Sequence, residues 1–73
     1  MLVEQETRVL NTEVVGEAYA IALNYLRRSG AIADNFVTKD RLLGIVVQLF
    51  WRGEVNRLKL ANKAIAMFES ELA

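Results

Sequence analysis

The Ser, Thr and acidic side chains that could do chemistry are five aliphatic hydroxyls, Thr7, Thr12, Ser29, Thr38 and Ser70, and nine carboxylates. The 73 residues contain no Cys and no His. General acid–base catalysis near neutral pH most often uses His, and thiol chemistry needs Cys. A Ser or Thr nucleophile needs an adjacent base. None of the five hydroxyls stands in a recognisable motif, and neither GxxxxGK[ST] nor GxGxxG is present. Asp34 and Asp40 flank Asn35-Phe36-Val37-Thr38-Lys39, which does not match a calcium loop. These two acids read as a turn residue and a first-turn acid. The expectation is a protein without catalytic residues, cofactor or metal.

Size and composition bound the fold. A chain this short forms one domain, spanning 1–73. Small domains bury a low fraction of their surface and usually need disulfides, a metal or a partner chain. Without Cys or His, the first support and the usual form of the second are missing. The apolar fraction is 53%, and nine basic residues balance nine acidic ones, which argues against disorder. No apolar run approaches the roughly 20 residues of a membrane-spanning helix. The start, Met1-Leu2-Val3-Glu4-Gln5-Glu6, lacks the basic-then-apolar order of a signal peptide. A cytoplasmic protein with no membrane partner is expected.

The elements that would position any site read as three helices. The first runs from about 12 to 29. Asn11 or Thr12 caps it, Glu13 complements its dipole at the start, Arg27 and Arg28 do so at the end, and Gly30 terminates it. Its apolar rows are Val14, Ala18, Ile21, Tyr25 and Val15, Tyr19, Ala22, Leu26. Residues 3–10 are either an extension of this helix or a separate arm. The second runs from about 39 to 52, with Thr38 as N-cap and Asp40 in its first turn. Eight of the ten residues from Leu42 to Trp51 are apolar, while Arg41, Gly44, Gln48 and Arg52 trace one narrow polar stripe. The β-branched run Ile45-Val46-Val47 offers a strand as the rival reading; the caps, stripe and length favour helix. The third runs from about 54 to 72, with Val55, Leu58, Ala61, Ile65, Phe68 and Leu72 on one face. The fold class is therefore all-α: a small three-helix domain, made of a helical hairpin over 39–72 plus an N-terminal helix and completed by oligomerisation.

A helix apolar nearly all round must be covered nearly all round. Two neighbours in the chain cover two sides, so another subunit is expected on the rest, and a symmetric homodimer is the commonest closed form. The expected interface residues are Leu42, Val46, Val47, Phe50 and Trp51. Gly44, inside this helix, suggests close packing against another backbone.

Charge is uneven. Residues 27–63 hold eight bases against three acids, while residues 1–17 hold four acids and one base. Arg52, Arg57, Lys59 and Lys63 are candidate partner-binding residues. The functional expectation is a non-enzymatic, self-associating protein that presents a surface to another protein. A small nucleic-acid-binding regulator using the bases of 27–63 is the alternative. The stretch Leu49 to Leu58 resembles a helix–turn–helix in its short Gly-containing turn, but a plain helical hairpin accounts for it.

Overall fold

The computed structural model describes residues 10–30 and 35–72, so the readings for residues 1–9 and for Asp34 lie outside the described residues. Three helices follow in order: α1 (Thr12–Ser29), α2 (Phe36–Trp51) and α3 (Arg57–Leu72). There is no strand among the described residues, so the helical reading of the middle segment stands.

Asparagine side chains set all three starts. Asn11 Oδ1 accepts from the backbone N–H groups of Glu13 and Val14, both at 3.1 Å. Asn35 Oδ1 accepts from the N–H of Thr38 at 2.8 Å. Asn56 Oδ1 accepts from Leu58 and Lys59 at 2.9 and 3.0 Å. Each bond satisfies a donor that the first helical turn cannot pair internally. α1 ends as its sequence implies, with Gly30 left-handed at φ 77° and its N–H donating to the carbonyls of Leu26 and Arg27.

Two boundaries differ from expectation. α2 begins three residues earlier, because Asn35 and not Thr38 is the cap. Asp40 consequently lies beyond the first turn, which holds no acid. α3 begins three residues later, because Asn56 caps it after the turn at Gly53, whose φ is 118°. The expected face of α3 holds at Ala61, Ile65 and Phe68 and fails at its first two members. Leu60, Ala61, Ala64 and Phe68 are buried, whereas Val55 and Leu58 are 62% and 59% exposed. Val55 lies in the turn, so it cannot begin the helical row assigned to it.

The helices run up, down and up, and each pair is in contact. Arg57 at the start of α3 bonds Glu17 near the start of α1 at 3.0 Å, so these two are parallel. Arg41 in α2 bonds Glu71 near the end of α3 at 2.8 Å, so those two are antiparallel. The core lies on the common axis. Val15, Ala18, Ala22 and Leu26 of α1 meet Leu42, Ile45, Val46, Leu49 and Phe50 of α2 and the buried residues of α3. The small residues Ala18, Ala22, Ala61 and Ala64 leave no accessible surface, and their size lets the helices approach closely. Among the described residues no polar or charged side chain is buried.

The corrected face of α3 is testable. Leu60→Ala should cost about 2–5 kcal/mol, because it opens a cavity in a fully buried site. Leu58→Ala should stay within about 0.5 kcal/mol, because its side chain is largely in water. Urea unfolding of the two variants checks this, and the reverse order would mean that the helix is rotated.

Candidate interaction surface

The five residues expected at an interface are divided by the fold. Leu42, Val46 and Phe50 are buried inside the chain's own core, Val47 is half-buried, and Trp51 is 42% exposed. α1 and α3 therefore already shelter one whole side of α2. The ring of Trp51 meets Phe50 edge-on, with centroids 5.6 Å apart, and so closes the end of the core while keeping an outer surface.

The other side of α2 carries apolar residues of its own. At 3.6 residues per turn, Leu43, Phe36, Val47, Asp40, Trp51, Gly44 and Val37 fall within a sector of about 120°. Phe36 and Val37 are 81% and 76% exposed. They belong to α2 because of the Asn35 cap, and the sequence reading, which began the helix at 39, left them outside it. The signal was present in the residue types: Asn caps a helix better than Thr. The polar stripe Arg41, Gly44, Gln48 and Arg52 is exposed along its length.

Gly44 is not held by packing against the described residues. A Cβ built at Gly44 meets nothing within 4 Å, so the expected close approach is absent from this fold. Glycine in a helix interior costs about 1 kcal/mol relative to Ala, and no neighbour among the described residues requires that cost.

Other exposed apolar residues lie on α1 and at the start of α3. Ile21 and Tyr25 of α1 are 37% and 50% exposed. Val14, Val55, Asn56, Arg57 and Leu58 line an open groove of about 340 Å³.

The candidate basic residues differ in how they are engaged. Arg57 is engaged by Glu17 on α1. Lys63 donates to Glu54 at 2.9 Å. Lys59 and Arg52 are exposed. The Lys63 ammonium, and then the Asn56 N–H, hold the Glu54 carboxyl below the usual glutamate range. Among the described residues no group of three acids is placed to hold a metal ion, and no helix is long and apolar enough to cross a membrane.

Comparison with known proteins finds no matching family model, curated protein or solved structure.

The Glu54 contact ties the turn before α3 to its second turn and makes stability pH-dependent. A carboxyl with a lowered folded pKa contributes stability that is full above its unfolded pKa and is lost as pH falls through the folded value. Wild type should therefore exceed Glu54→Gln in stability at neutral pH, with the gap closing in the acid range below pH ~4. Thermal unfolding across that range measures the gap, and a constant gap would contradict the role given to Lys63.

Proposed function

We propose that this chain is a non-enzymatic helical protein of the cytoplasm that self-associates, with the homodimer as the favoured form, and presents a helical surface for protein–protein interaction. The observation that carries the reading is the second apolar side of α2. Phe36, Val37, Leu43 and Trp51 remain exposed after the chain has closed its own core. Contiguous exposed apolar surface on a small protein marks an interaction site more often than a free surface. Shielding it also suits a chain near the lower size limit for independent stability.

Leu42, Val46 and Phe50 no longer supply the need for a partner, since the chain covers them. The need comes from the outer residues of the same helix. Of the eight bases of residues 27–63 on which the nucleic-acid alternative rests, Arg41, Arg57 and Lys63 are each engaged by a carboxylate.

Sedimentation velocity from low to high micromolar concentration tests the reading. A concentration-dependent shift from one chain to two is expected, because apolar contact drives it. A single species of one chain's mass throughout would overturn the proposal.

A further inference from the structure

We propose that the outer face of α2 is the self-association surface, and that two copies meet there with their α2 helices antiparallel about a two-fold axis at Gly44. This rests on the self-association reading above and adds to it the surface, the orientation and the role of individual residues.

Three independent features of α2 converge. The first is the exposed apolar set, Phe36, Val37, Leu43 and Trp51, on either side of Gly44 along the helix. The second is Gly44 itself, with open space where a Cβ would lie. Another backbone approaching there gives a helix-weakening residue a physical use, since absence of a side chain lets two helices come close.

The third feature is charge. Asp40 lies in the face and Arg52 caps the C-terminal end of α2 just beside it, and both are exposed. Neither has an ion-pair partner among the described residues, whereas the neighbouring Arg41 is already engaged by Glu71. Twelve residues separate Asp40 from Arg52, about 18 Å along a helix. Parallel copies would set Asp40 beside its own counterpart, like charge against like. Antiparallel copies reverse the ends. About an axis at Gly44, Val37 comes level with Trp51 of the other copy, apolar on apolar. Asp40 comes level with Gln48, one turn from Arg52 of the other copy, a distance that a long Arg side chain spans. The pairing occurs twice by symmetry. Charge of this kind selects orientation, and the apolar contacts supply affinity. A face that is complementary to its own reversed copy specifies a second copy of this chain as occupant.

Because the chain lacks cysteine, single thiols can be introduced cleanly. Gly44→Cys should cross-link to itself under mild oxidation, since a disulfide needs Cα atoms within about 7 Å. Val37→Cys should not cross-link to itself but should do so when mixed with Trp51→Cys. Asp40→Arg and Arg52→Asp should each weaken association by about tenfold or more, and the double reversal should restore it. Gly44→Ala should raise the melting temperature of the isolated chain while weakening association. Wild type is measured in parallel. If wild type stays a single chain at all concentrations, the self-association reading itself fails. Three results would overturn this surface while leaving self-association standing: a wild-type dimer in which Gly44→Cys does not cross-link, one in which Val37→Cys cross-links to itself, or one that Leu58→Arg dissociates while the charge variants do not.

Discussion

An α-helix has one circumference, and in α2 that circumference carries more apolar side chains than two neighbouring helices can touch. Leu42, Ile45, Val46, Leu49 and Phe50 point inward and complete the core with α1 and α3. Phe36, Val37, Leu43 and Trp51 are left outside. The hydrophobic effect drives the first group together within the chain and acts on the second group in the same way, but nothing among the described residues answers it. The rest of the structure follows from this two-sidedness. α1 and α3 need only one buried face each, and both use small residues there, Ala18 and Ala22 on one and Ala61 and Ala64 on the other.

The asparagine caps decide which residues belong to that second side. Asn35 starts α2 early enough to bring Phe36 and Val37 into helical register with Leu43, Val47 and Trp51. Had the helix begun after Thr38, those two residues would lie in a turn and the outer face would lose its most exposed members. Asn56 has the opposite effect on α3. It holds Val55 in the preceding turn, and the buried row of the helix is Leu60, Ala61, Ala64 and Phe68. Local hydrogen bonds of the first helical turn thus fix the composition of surfaces many residues away.

Much of the fold was legible in the residues. The number of helices, the span of α1, its Gly30 stop and the exposed stripe Arg41, Gly44, Gln48, Arg52 all follow from period and capping. The starts of α2 and α3 were not, because each has two candidate caps or two overlapping apolar rows within one turn. Leu58 and Leu60 lie on nearly opposite faces of α3, and the sequence offers either one as the start of a buried row. The site was less legible still. An apolar run shows that a helix is oily all round, but it does not show which side its own chain will cover. Val46 and Phe50 look like Val37 and Trp51 in sequence; three-dimensional packing alone assigns the first pair inward and leaves the second pair at the surface. Packing at Gly44 was also not legible, because a small residue is compatible with both a crowded and an empty neighbourhood, and in this fold the neighbourhood is empty.

The central claim is that the outer side of α2 is covered by a second copy of the chain. Trp51 is the chain's one tryptophan and lies on that side, so its fluorescence reports the event directly. As protein concentration rises, its emission should move to shorter wavelength and become harder to quench with acrylamide. Emission and quenching that remain unchanged across the whole concentration range would contradict the account.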